Sequence, residues 1–276
     1  MNEKHVVRPP AVAGMFYKGS PASLCKNVDE LLEDARVPEI KGTIRALVSP
    51  HAGYVYSGFT AAHAYKPLRG RNYDCVIAVG PSHREYFDGI SIFNGDDYET
   101  PLGKVPICEE MRSELLKIEK TIVSSTAGHR SEHSIEVQLP FLQRVLGEFT
   151  LVPIIIGDQR KQLCFKLADA IARVKNDRNI LLVASSDLSH YHSYDDAVRL
   201  DKRVIDAIVN FDPDAFMDEL EEKSFEACGG GPIAAIMKAA QQLGAKNSAV
   251  LHYCNSGDVT GDKSAVVGYL AAAFFD

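Results

Sequence analysis

Four apolar runs in this chain have the length and branched-aliphatic content of buried strands, and each breaks into a polar cluster built on His or Asp. "IRALVSPHAGY" reaches His51, and "CVIAVGPSHREY" reaches His83. "ILLVASSDLSHYH" reaches Asp187 and His190, and "AVLHYCNSGDVTGD" reaches Asp258. Runs this short suit strands better than globular helices. In an open α/β sheet, the loops after the carboxyl ends of parallel strands converge on one crevice, where ligands bind. Imidazoles and carboxylates gathered there are the raw material of a metal site or an acid–base site.

The segments between the runs supply the rest of that architecture. "SLCKNVDELLEDA", "CEEMRSELLKIE" and "RKQLCFKLADAIARVK" carry apolar residues at helical spacing. "SEHSIEVQLPFLQRVLG" reads as a helix kinked at Pro140, and Asp195 to Met217 reads as helical. Asn94-Gly95 and Pro101-Leu102-Gly103 mark an antiparallel hairpin between strands. "RPPAVAGMFY" reads as an ordered entry segment packed on the body. Strands alternating with helices predict an α/β fold whose central sheet is mixed but mostly parallel and flanked by helices. No repeat, low-complexity tract or linker divides the 276 residues, so residues 1–276 read as one domain.

Charge and cysteine usage narrow the function classes. The formal net charge is -7 and no Lys/Arg block exists, which argues against nucleic-acid binding and against docking on an anionic membrane. No apolar stretch approaches the ~18 residues of a membrane span. The N-terminus has no apolar signal core. The six cysteines are scattered without a C-x-x-C pair, as expected of reduced thiols in a cytoplasmic protein. The expected partner is a small-molecule or peptide ligand in the crevice.

His51 and His83 both follow a Pro closely at the end of a strand, in "SPH" and "GPSH". A lone loop histidine is ordinarily solvated, but two in the same setting favour a pair of metal-ligating imidazoles. Asp187 can fix the tautomer of His190 or simply cap the following turn. His133, between Glu132 and Glu136, is equally an acid–base imidazole near the metal or part of a helix start capped by Ser131. Asp258 can complete a two-His, one-carboxylate set of the kind non-heme Fe(II) oxygenases use, or belong to a turn, as Asp262 does. "CGGGP" at Cys228–Pro232 lacks the phosphate-loop pattern and reads as a flexible turn into a helix whose N-terminus could still hold an anion; Cys228 reads as a small buried residue by default, with a reactive thiol as the alternative. No G-x-S-x-G elbow supports a serine hydrolase.

Taken in order, "SPHAGYVYSG", "GPSHREY", "YETPLGKVPI", "SEHSIEVQLPFL", "SSDLSHY", "CGGGPI" and "YCNSGDVTGDKSAVVGY" resemble the Memo family over nearly the whole chain. Animal members of that family are linked to cell motility, and prokaryotic members are often labelled AmmeMemoRadiSam system protein B. The resemblance implies a fold similar to LigB-type class III extradiol ring-cleaving dioxygenases, which use non-heme Fe(II). It matches His51 and His83 to the family's metal-site histidines, Asp187 and His190 to its pocket acid and catalytic base, and His133 to a further pocket histidine. The animal proteins carry a Cys that falls opposite Asp258 or Val259, not Cys254, so Asp258 is the expected third ligand. The resemblance thus implies an Fe(2+)-dependent oxidoreductase, with Zn or Cu as other candidate metals. The alternative is a scaffold that keeps the crevice and binds a metal or peptide without catalysis.

Overall fold

Alternation of side chains along the central strands decides how the layers form. The computed structural model describes residues 5–174 and 178–276. In the strand Cys75–Pro81, Cys75, Ile77 and Val79 join one apolar cluster, while Val76 and Ala78 join a second. Leu182 and Ala184 point to the first cluster, and Leu181 and Val183 to the second. Both faces of these strands are therefore covered, as a parallel α/β sheet requires.

In chain order the strands are β1 (Val7–Arg8), β2 (Ile44–Ser49), β3 (Cys75–Pro81), β4 (Ile90–Phe93), β5 (Asp97–Thr100) and β6 (Gly103–Pro106). They continue as β7 (Ile122–Ser125), β8 (Thr150–Ile156), β9 (Ile180–Ser185), β10 (His190–His192), β11 (Asn247–Asn255) and β12 (Val266–Phe275). The helices are α1 (Pro21–Asp34), α2 (Tyr54–Tyr65), α3 (Glu109–Ile118), α4 (Leu139–Leu146) and α5 (Lys161–Arg173). After them come α6 (Tyr194–Asn210), α7 (Pro213–Glu221), α8 (Gly230–Gln242) and the short α9 (Ser256–Thr260).

The main sheet has the order β10-β12-β2-β9-β3-β8-β4-β7, with β11 paired to β12. Strands β2, β9, β3 and β8 are mutually parallel, while β4 and β12 join them antiparallel. The α/β class with a mixed sheet flanked by helices is therefore as expected. Residues of α3, α5, α6, α7 and α8 enter the first cluster, and residues of α1, α2 and α4 enter the second. Each fully buried aliphatic side chain contributes roughly 1.5–3 kcal/mol.

The order β2-β9-β3 positions the site. The strand β9 inserts between β2 and β3, with Ser49 opposite Ser185 and Val79 opposite Ala184. Three adjacent carboxyl ends thus lead into the loops carrying His51, Asp187 and His83.

Several local expectations need correction. The hairpin β5–β6 does not enter the main sheet: it forms a separate three-stranded sheet with β1. The segment read as a kinked helix is a loop through Ser134, a 3-10 turn at Glu136–Gln138, and then α4 with Pro140 in its first turn. Proline is tolerated there because that turn's N–H groups have no helical acceptor. The helical stretch after Asp195 breaks at Phe211, which is left-handed (φ 52°), and restarts at the Asp212 cap before Pro213. No helix among the described residues is long and apolar enough to cross a membrane.

Candidate metal centre

The loop after β2 buries His51 almost completely, and its tautomer follows from its partners. Ser185 Oγ donates its one proton to the Ser134 carbonyl at 2.5 Å and accepts from Gln138 Nε2 at 2.8 Å. Toward His51 Nδ1, 2.9 Å away, it can therefore only accept. His51 Nδ1 carries the proton, and Nε2 presents a lone pair. That lone pair faces Cys228 Sγ at 3.1 Å.

His83 is fixed by the same logic. Its Nδ1 lies 3.0 Å from Glu132 Oε1, and its backbone N–H donates to Glu132 Oε2 at 2.6 Å. A carboxylate only accepts, so Nδ1 is the protonated nitrogen and Nε2 is left available. The side chain is 29% exposed, which leaves this side of the site open to solvent. The rings of His51 and His83 are 5.0 Å apart, and that of His133 lies 5.0 Å from His83 and 5.4 Å from His51.

Cys228 completes the cluster. Ligand atoms of His51, His83 and Cys228 all lie within 4.8 Å of one another. Around a common ion, bond lengths of ~2.0–2.3 Å place such donors about 3.5 Å apart, so a small closure suffices. Two imidazoles with their Nδ1 atoms already engaged, plus a thiol, fit a divalent transition metal in chemistry and in orientation.

The glycine run after Cys228 is not the flexible turn expected from sequence. A Cβ on Gly229 would lie 2.3 Å from the Ser185 carbonyl oxygen, so the run packs directly on the end of β9. Gly229 N–H donates to Ser186 Oγ at 2.9 Å, and Gln159 Nε2 donates to the Cys228 carbonyl at 2.8 Å. The Asp187 amide donates to Cys228 Sγ at 3.2 Å.

Burial dominates the electrostatics. It pulls the His51 pKa well below the usual imidazole value, helped by repulsion from His83 and His133. Burial, then the nearby Asp187 charge, pushes the Cys228 thiol up. Without metal the cluster therefore holds a neutral His51 and a protonated thiol, and metal loading would displace that thiol proton. Burial raises the Asp187 carboxyl to about 7, against the hydrogen bond from the His51 amide. Burial also opposes ionisation of Glu132, but its hydrogen bonds with His83 prevail and hold its pKa low. His133 falls to about 4, chiefly through burial.

Other candidates fall into place around this core. Asp187 Oδ1 accepts the His51 amide at 2.8 Å, and Oδ2 lies 4.0 Å from His51 Nε2. Asp187 is thus tied to His51 rather than to His190, whose Nδ1 is held by the Leu188 carbonyl at 2.8 Å. His190 Nε2 is therefore its unprotonated nitrogen. His133 adjoins the cluster and packs against Phe16, ring centroids 4.8 Å apart with the planes tilted by 56°. His133 Nδ1 is buried without a hydrogen-bond partner, 3.3 Å from Glu132 Oε1. His83, Glu132 and His133 also lie close enough to form a ligand set. However, Glu132 Oε1 already takes the amides of His133 and Ser134, each at 2.9 Å, besides His83 Nδ1. That carboxylate orients its neighbours.

Asp258 is not brought to the cluster, which corrects the expected third ligand. Its Oδ2 accepts the Asn255 amide at 2.9 Å and its Oδ1 accepts the Tyr194 hydroxyl at 2.8 Å. It closes a capping box with Asn255 at the start of α9. Cys254 bonds to Thr60 at 3.1 Å and does not join the group of His51, His83 and Cys228. Sequence reasoning missed Cys228 and Glu132. The signal for Cys228 was three consecutive glycines, which mark close backbone approach as readily as flexibility.

The fold and the site together define a mixed-sheet α/β protein with an imidazole–thiol cluster at the carboxyl ends of adjacent parallel strands. A family model described as Memo-like protein matches residues 8–273. A MEMO1 family protein of Thermoplasma volcanium is 43% identical over 265 residues, covering 96% of this chain and 97% of that protein. One from Sulfolobus acidocaldarius is 40% identical over 285 residues, covering 98% and 100%. The chain belongs to the Memo-like family. Among solved structures, an uncharacterized protein of Escherichia coli K12 shares the fold with a TM-score of 0.57 at 13% identity, over 84% of this chain and 99% of that one.

Proposed function

We propose that the cluster is a mononuclear metal centre held by His51, His83 and Cys228, and that it serves an iron(II)-dependent oxidoreductase of the ring-cleaving dioxygenase type. One observation carries the reading. The two imidazoles have their Nδ1 protons engaged by Ser185 and Glu132, leaving both Nε2 atoms available beside one thiol. Iron is preferred over zinc or copper by the resemblance to extradiol enzymes; the thiol departs from their carboxylate ligand.

The bound metal would supply a Lewis-acid centre at which an aromatic diol or related substrate meets dioxygen. The chain's own groups handle the protons. His190 presents an unprotonated Nε2 suited to take a proton from a substrate hydroxyl. Asp187, with a pKa near 7, sits where it can exchange a proton at working pH. His133, kept neutral by burial, lines the same side as His83.

The test is anaerobic loading with Fe(II), followed by a diol screen for oxygen uptake. Turnover of at least one diol is expected, with a loss of 100-fold or more in His190→Gln, the scale of a positioned general base. Metal-loaded protein that consumes no oxygen with any diol, yet retains peptides through the crevice, would replace the enzyme with a binding protein.

A further inference from the structure

The entry segment before α1 does more than cover the fold. Arg8 is 3% exposed, and its guanidinium does not simply pair with a carboxylate. One nitrogen binds Glu136, a second binds the Glu132 carbonyl, and Nε donates to the His129 carbonyl at 3.0 Å. The fork therefore spans the loop from which Glu132 and His133 project. Glu136, fully buried, accepts the amides of Ala11 at 2.7 Å and Val12 at 3.0 Å and the Tyr17 hydroxyl at 2.5 Å. The neighbouring Phe16 packs its ring on His133. The strap thus holds the 129–136 loop at Arg8, at Phe16 and through Glu136.

We propose that Arg8 is a positioning residue for the metal ligand His83, acting through Glu132. The guanidinium fixes the Glu132 backbone. The Glu132 carboxylate in turn holds both the His83 amide and His83 Nδ1. A planar fork with fixed donor directions suits this task; an ammonium on a flexible stem does not. Arg8→Lys keeps a cation beside Glu136, and so avoids an uncompensated buried carboxylate, but gives up the fork across the loop. Groups bonded directly to a ligand, as Glu132 is to His83, typically change metal affinity 10–100-fold; Arg8 acts one step further out through Glu132, so a loss of ~10-fold, the low end of that range, is expected.

The inference rests on the metal-centre reading, and cobalt(II) titration separates the two. The readouts are the Kd and the thiolate-to-cobalt absorption band from Cys228. Wild-type protein without such a band would sink the metal-centre reading and the Arg8 role with it. Wild type binding cobalt, with Arg8→Lys about tenfold weaker, supports the role. Equal Kd values in the two would overturn it and leave the metal centre standing. Ile171→Ala, a core truncation near the end of α5 in the other apolar cluster, should lower the Tm while leaving the cobalt Kd unchanged; a matching loss of affinity there would reduce Arg8 to a structural residue. If Arg8→Lys does not fold, Tyr17→Phe removes one donor from Glu136. A loss of about 3-fold is then expected on the same scale, and no loss overturns the proposal.

Discussion

A histidine is prepared to ligate a metal when its far nitrogen is held by an acceptor. At His51 and His83 that condition is met by a serine whose own proton is committed elsewhere and by a carboxylate that can only accept. Asp258 makes the opposite case. It is a carboxylate in a suggestive sequence, but its two oxygens serve the Asn255 amide and the Tyr194 hydroxyl. Asp258→Ala should therefore cost about 1 kcal/mol through loss of its half of the capping box and leave metal content unchanged. Equal thermal stability, or loss of metal, would contradict this assignment. His129 is a buried structural residue bonded to Tyr98 at 2.6 Å.

At the scale of elements, the segment Cys228–Pro232 shows how packing delivers a candidate ligand. Gly229 has an ordinary backbone conformation (φ -108°) that any residue could adopt. What excludes a side chain there is the Ser185 carbonyl, 2.3 Å from where its Cβ would lie. Gly80, at the end of β3, plays the same part for the 129–136 loop, with Ser134 Oγ 2.5 Å from its notional Cβ. Gly229→Ala should destabilise the protein by ~2 kcal/mol through overpacking and weaken metal binding, because Cys228 is pushed off the strand end. Chemical denaturation and metal analysis check both. A fully stable, fully loaded variant would mean that the run is loose after all.

At the scale of the whole molecule, the sequence disclosed the core strands, the α/β class, and the gathering of His51, His83 and Asp187 because these follow from short-range pattern and strand ends, whereas His133 was balanced between a pocket imidazole and a helix start. The identity of the third donor did not. The loop after β11 and the turn before α8 both contain a donor residue, and only their packing on the sheet decides which reaches the histidines. The separate β1–β5–β6 sheet was hidden for a related reason. Two residues of the strap form β1, and no periodicity can announce a strand so short. Glu132 was legible as an acid beside His133, yet its partner His83 lies 49 positions away in the chain. In the proposed centre, imidazole and thiolate donors from separate strand ends share one ion. X-ray absorption on protein loaded with one equivalent of metal tests it directly. The predicted spectrum contains imidazole nitrogens and a single sulfur at ~2.3 Å, the sulfur vanishing in Cys228→Ser. A wild-type spectrum with only nitrogen and oxygen neighbours would contradict it.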